Sequence, residues 1–443
     1  MKTPIVDFLR HYGEGDFARF HMPGHKGRSA LGCEGWDITE IAGADSLYEA
    51  DGIIAESEEN AAALFGTRRT CFSTEGSSQC LKAMLYLALQ NRRAGTPPVI
   101  VAARNVHKAF LHAAALLDFE VRWLFPAESP SLCSCPISAE ALERCLAALD
   151  FPPAAVYLTS PDYLGGMADI AALAEVAHRH GTILAVDNAH GAYLHFLTPS
   201  QHPMDLGADL CCDSAHKTLP VLTGGAYLHI SHRLGEMAAA QAKNALALFG
   251  STSPSYLTLA SLDLCNAALA GELPARMHHM AERLAEVRAS LRERGWTVLE
   301  SDPLRLTIHA AGKGRTLADT LREHRIECEY ADEDFLVLML TAENREDELR
   351  RLLCALGTAD APAAAEALPL ARGTRAMSIR EAFFRPHETV SAAASLGRIC
   401  AAPTVSCPPA IPIVVSGEVI GEDALQLFRR YGVETVEVVT PLF

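Results

Sequence analysis

The dominant pattern in the chain is a repeated switch between short apolar runs and longer stretches of helical period. Between residues 98 and 200, PVIVAAR, VRWLF, AAVYLTSP and TILAVDNAH read as buried strands. NVHKAFLHAAALL, ISAEALERCLAAL and DIAALAEVAHRHG between them read as helices. Continuous apolar strands alternating with helices predict an α/β fold with a mostly parallel sheet, whose working residues gather at the carboxyl ends of the strands. Upstream, ADSLYEADGIIAESEENAAALFG is helical, and TRRTCFSTEGSSQC is a short β-type run that ends at Glu75-Gly76-Ser77-Ser78 and feeds a Leu-, Ala- and Met-rich helix. Downstream, LCCDSAHKTLPVLTGGAYLH predicts strand, loop and strand with Lys217 at the bend, and a helix follows over residues 233–248.

The same patterns divide the chain. Residues 1–40, with the turn-rich FHMPGHKGR, are expected to form an arm, and residues 41–250 the large domain. Residues 251–356 begin with helices and continue with strands and helices of antiparallel spacing, predicting a connecting helix and a small α+β domain. Residues 357–373 are Ala- and Pro-rich and read as a linker, and 374–443 form a further unit whose CPPAIP turn is expected to cover or face a cleft.

Composition narrows the function. Hydrophobic residues make up 49% and charged ones 21%, which is globular. A formal charge of -16 argues against nucleic acid or an anionic membrane surface and favours cationic small molecules. Thirteen scattered cysteines and no signal-peptide pattern predict free thiols in the cytoplasm. Cys133-x-Cys135 has no matching second pair, so no metal is expected.

The candidate chemistry lies at the predicted strand ends. A lysine held where a sheet ends and partly desolvated beside His216 has its ammonium disfavoured, so Lys217 is a candidate nucleophilic amine. The bland reading is a solvated loop lysine. Gly76-Ser77-Ser78 at a helix start offers backbone N–H groups and hydroxyls to an anion, most naturally a phosphate, although a serine there is often only a cap. Asp187 ends an all-apolar strand and needs a cation to offset its burial, a role a pyridinium nitrogen would fill. His107 and His190 lie near strand ends, as does Ser160; each histidine reads equally as a core or rim residue, or as a ring that stacks on a flat cofactor. Gly250-Ser251-Thr252-Ser253 is a second possible phosphate contact, able to reach a neighbouring copy. A lysine, a buried acid, a stacking histidine and a Gly-Ser cup are together the grips that pyridoxal 5'-phosphate needs.

FHMPGHKG, DITEIAGADSLYEADGII, the Glu-Gly-Ser-Ser turn, RNVHK, TSPDYLGG, VDNAHGA, DSAHK, STSPSY, MSIREAFF and PPAIP stand in the order found in one family. By these motifs the chain resembles the compact form of the Orn/Lys/Arg decarboxylases, fold type I pyridoxal-phosphate enzymes related to aspartate aminotransferase. The resemblance implies Lys217 as the Schiff-base lysine, Asp187 as partner of the pyridine nitrogen, and His107 as the stacking residue. It also implies Ser77, Ser78, Ser214 and His216 around the phosphate, His190 near the ring, and a homodimer. The implied reaction is decarboxylation of arginine, lysine or ornithine, with His216 or the released Lys217 returning a proton to the α-carbon. Transamination, β-elimination and a silent regulatory homologue are the competing readings on the same fold. The chain departs from the family pattern at Ala215, Asn188, Gly224, Ser406-Cys407 and Ala410. Glu418, after the PPAIP turn, is a candidate reader of the substrate's cationic tail.

Overall fold

A computed structural model describes residues 1–28, 30–129, 131–359, 370–406 and 410–441. Cys407, the two prolines before Ala410 and most of the expected linker lie outside the described residues. Contacts divide the chain into two units: Met1–Asn91 with Ile170–His178 and Ile183–His278, and Arg92–Asp169 with Arg179–Thr182 and His279–Phe443.

The large sheet has seven strands: β1 (Arg69–Ser73), β2 (Val99–Ala103), β3 (Glu120–Leu124), β4 (Ala155–Thr159), β5 (Ile183–Asp187), β6 (Leu210–Asp213) and β7 (Ala226–Ile230). In the first unit the order is β1-β7-β6-β5, with β5 and β6 parallel and β7 antiparallel to both β6 and β1. In the second it is β4-β2-β3, all parallel. The sheet is therefore α/β and mostly parallel, with β7 turned back. Every residue of β2 and β7 is buried, as expected for strands covered on both faces.

In the first unit, the helix Ser77–Gln90 packs on β5, β6 and β7 and on the helix Gly235–Ala247. Its buried Cys80, Leu81, Ala83, Met84, Leu87 and Ala88 supply the apolar face, and the small side chains allow close approach. The first helix, Pro4–Glu14, is held at its start by Asp263, whose Oδ2 accepts the Ile5 and Val6 amides at 3.0 Å each. Those amides lie in the first helical turn, where no intrahelical carbonyl is available.

The second unit also carries an antiparallel four-stranded sheet of order β10-β11-β9-β8: β8 (Thr297–Val298), β9 (Arg305–His309), β10 (Tyr330–Ala331) and β11 (Phe335–Met339). Phe335, Val337, Ile411, Ile413, Leu427 and Phe428 belong to one continuous core. Buried beside them, Arg104 donates to the Pro412 and Ile413 carbonyls at 3.1 Å and faces Glu418 Oε2 at 3.4 Å. Among the described residues, no helix is long and apolar enough to cross a membrane.

Candidate active site

The structure gathers Gly76, Ser77, Ser78, Asp187, His190, Ser214, His216 and Lys217 in the first unit. Asp187 is the last residue of β5 and pairs in register with Cys212 of β6, so the chain leaving each strand emerges at the same edge of the sheet. Lys217 lies four residues past the end of β6, in the single helical turn Ala215–Thr218 rather than in the open loop expected from the sequence. Its Nζ is 2.9 Å from His190 Nε2. His190 comes from the segment that follows Asp187, so two neighbouring strand ends supply the pair.

Asp187 is buried; its Oδ1 accepts the Ala189 amide at 3.2 Å and lies 3.7 Å from Cys212 Sγ. Half-buried His216 places Nδ1 3.0 Å from the Gly225 carbonyl. Because a carbonyl only accepts, Nδ1 carries the hydrogen and Nε2 is the basic atom of the ring. Burial, helped by the Lys217 charge, pushes this imidazole below its ordinary value, so it is neutral near pH 7.

Gly76 precedes the helix Ser77–Gln90 at φ +74, a left-handed conformation that favours glycine. No side chain caps the helix there, and a Cβ added at Gly76 would meet nothing within 4 Å, so the helix start opens onto space. Ser214 Oγ donates to Ser77 Oγ at 2.6 Å, bringing two hydroxyls to the same point. The Gly76 amide donates to the Gly224 carbonyl at 2.7 Å, tying the cup to the segment after Lys217. Thr218 Oγ1, next to Lys217, is buried with no hydrogen-bond partner. An amine, a buried carboxylate, an uncapped helix start with hydroxyls and an orphaned polar atom fit an aldehyde-bearing, phosphorylated pyridine.

His107 and Ser160 belong to the second unit. His107 is the N-cap of the helix Lys108–Leu117, its Nδ1 accepting the Ala109 amide at 3.2 Å. Buried Ser160 follows β4, and its Oγ accepts the Ala168 amide at 3.1 Å.

Residues 3–310 match the family described as Orn/Lys/Arg decarboxylase, major domain. The chain belongs to the Orn/Lys/Arg decarboxylase family. This member is 30% identical to an arginine decarboxylase of Halalkalibacterium halodurans over 97% of its own length and 93% of the relative's. It is 29% identical to an arginine decarboxylase of Bacillus subtilis over 95% and 92%. A lysine decarboxylase structure from Francisella novicida has the same fold, with TM-score 0.81 at 17% identity, covering 99% of this chain and 81% of that one. The protein is a pyridoxal-phosphate-dependent decarboxylase.

Two departures from the family pattern acquire physical reasons. Asn188 donates its side-chain N–H to Asp213 Oδ1 at 2.7 Å, where a glutamate would set two carboxylates face to face. Gly224 has φ +98, and a Cβ there would come within 2.6 Å of the Thr74 carbonyl oxygen. Ala410 has φ +63, a position that suits glycine better.

Glu418 does not fit the part of substrate reader. It is buried, its Oε2 accepts the Val415 amide at 2.9 Å, and Arg104 is its charge partner. Cys133 and Cys135 are buried thiols; burial raises both, Cys135 to about 11. Sequence reasoning gave no role to Asp213, although it opens DSAHK, or to His202 and His229; the three form a buried polar cluster beside Ser214, and the partners that make Asp213 a hub are not adjacent to it in sequence.

Proposed function

We propose that the protein decarboxylates a basic amino acid, with arginine the first candidate. The observation that carries this reading is the placement of Lys217 and Asp187 at neighbouring strand ends, with Lys217 Nζ 2.9 Å from His190 Nε2. The names of the arginine decarboxylases that align over nearly the whole chain support arginine, and the charge of -16 suits a cationic substrate.

Lys217 would hold the cofactor's aldehyde carbon, Asp187 its pyridine nitrogen, and Gly76, Ser77, Ser78 and Ser214 its phosphate. His107 would stack on the ring, with Ser160 near it. Bound pyridoxal phosphate supplies an electron-accepting ring for the charge left on the α-carbon when CO2 departs. Asp187, buried at the end of β5, would face the pyridine nitrogen and favour its protonated form. Lys217 Nζ, once released, can carry a proton back to the α-carbon, and His190 Nε2 at 2.9 Å can hold or exchange that proton. His216, neutral with Nε2 basic, is the second possible proton carrier.

We further read the protein as a cytoplasmic homodimer in which the exposed Ser251–Ser253 turn reaches the partner's phosphate. Support comes from its position: the Ser251 amide donates to Glu75, the residue before the cup. The domain division expected from the sequence, with its arm and C-terminal unit, belongs to the same proposal.

The test is a panel of arginine, lysine and ornithine assayed for CO2 and the matching amine, together with borohydride reduction and peptide mapping. Release of CO2 from one of them, with the reduced adduct on Lys217 and both lost in Lys217→Ala, is the expected result. A keto acid or pyruvate as product, or an adduct on another lysine, would overturn it.

A further inference from the structure

The buried groups that the mechanism leaves unused converge on one carboxylate. Asp213 ends β6 with no exposure, and its Oδ2 accepts from His202 Nε2 at 3.0 Å and His229 Nε2 at 3.1 Å. Its Oδ1 accepts from Asn188 at 2.7 Å and lies 3.6 Å from Cys211 Sγ. His202 Nδ1 accepts the Met204 amide at 3.3 Å, which fixes the hydrogen on Nε2. His229 Nδ1 continues to Thr70 Oγ1 at 2.8 Å, and Thr70 to Thr67 at 2.7 Å. Burial opposes ionisation of Asp213, yet the two imidazoles hold it well below the usual carboxylate range. Burial lowers His229 in turn.

Asn188 follows Asp187 in the chain, and its backbone amide also donates to Cys212 O at 3.0 Å. Asp213 stands four residues before Lys217. We propose that Asp213 is a positioning residue for the cofactor site: its carboxylate ties the end of β5, which carries Asp187, to the end of β6, which leads to Lys217. The inference rests on the reading of Lys217 and Asp187 given above. Its physical content is twofold. Charge-assisted hydrogen bonds fix the spacing of the two strand ends. A buried anion also stabilises any cation bound between them, including a protonated imine on Lys217.

Other groups face Asp213 as well, and the assay has to separate them from it. They are Asn188 and Cys211, His229 and Tyr227 from β7, Cys80 from the helix Ser77–Gln90, and His202 with the neighbouring His195–Asp205 pair. None of the others is a buried anion.

The experiment is a spectrophotometric pH titration of the imine band in the holoenzymes of wild type, Asp213→Asn and Asn188→Ala, with pyridoxal phosphate affinity measured on the same proteins. The Asp213→Asn midpoint should fall by about one pH unit through loss of the nearby anion. Cofactor affinity should drop about tenfold in both variants, the size expected for one charge-assisted hydrogen bond. If Asp213→Asn does not fold, Asn188→Ala decides, because it removes the tie and leaves the carboxylate with both imidazoles. A wild-type imine band on Lys217 with unchanged midpoint and affinity in the folded variants overturns this inference alone. A wild type with no such band overturns the underlying site reading instead.

Discussion

Replacing Glu418 with glutamine separates a structural acid from a substrate-binding one. Glu418 and Arg104 are both buried, and the glutamate also accepts the Val415 amide. Removing one partner of such a pair leaves an uncompensated charge and costs about 3–5 kcal/mol. Arg104 keeps the Pro412 and Ile413 carbonyls and lies 5.2 Å over the Trp123 ring, and glutamine preserves an acceptor for Val415. The loss should therefore fall at the lower end, about 3 kcal/mol. Guanidinium unfolding of the holoenzyme followed by near-UV circular dichroism reads it as a lowered midpoint, and steady-state kinetics should show KM unchanged. An unchanged midpoint with KM raised tenfold or more would refute the assignment and restore Glu418 as the acid that meets the substrate.

His229 should make the fold acid-sensitive in a defined window. Burial lowers its folded value, so below about pH 6.5 the unfolded state takes up a proton that the folded state refuses, and stability falls as pH falls, by about 1.4 kcal/mol per unit, until the folded value is reached. Comparing denaturant midpoints at neutral and mildly acidic pH should show a larger loss in wild type than in His229→Gln; equal loss in both would exclude His229 as a source. Gly224→Ala would drive a Cβ to 2.6 Å from the Thr74 oxygen at φ +98, costing about 2 kcal/mol or more. The displaced Thr74–Gly76 segment should also weaken pyridoxal phosphate binding, and fluorescence titration with the cofactor checks this.

The alternation of apolar strands with helices made the sheet legible, because strands buried on both faces, such as β2, are apolar throughout. Asp187 stood out for the same reason, as an acid at the end of such a run. The reversal of β7 was not legible: AYLHI is as apolar as a parallel strand, and nothing in it shows that the segment 214–225 turns the chain back beside β6. Glu418 was misread because its partner Arg104 lies more than 300 residues away, and local sequence shows an acid after a turn without the cation that neutralises it. Asp213 was invisible as a hub for a similar reason. His202, His229 and Asn188 reach it from separate elements, and only the fold brings them to one carboxylate.

The amide at Asn188 facing the carboxylate at Asp213 implies a rule for how these two positions can vary through descent. A lineage that acquires an acid at 188 must give up the charge at 213, and the intermediate with an acid at both would be selected against. Among descendants of a common ancestor the two sites should exchange in concert, and their joint history would be readable in sequences long before any of those proteins is purified.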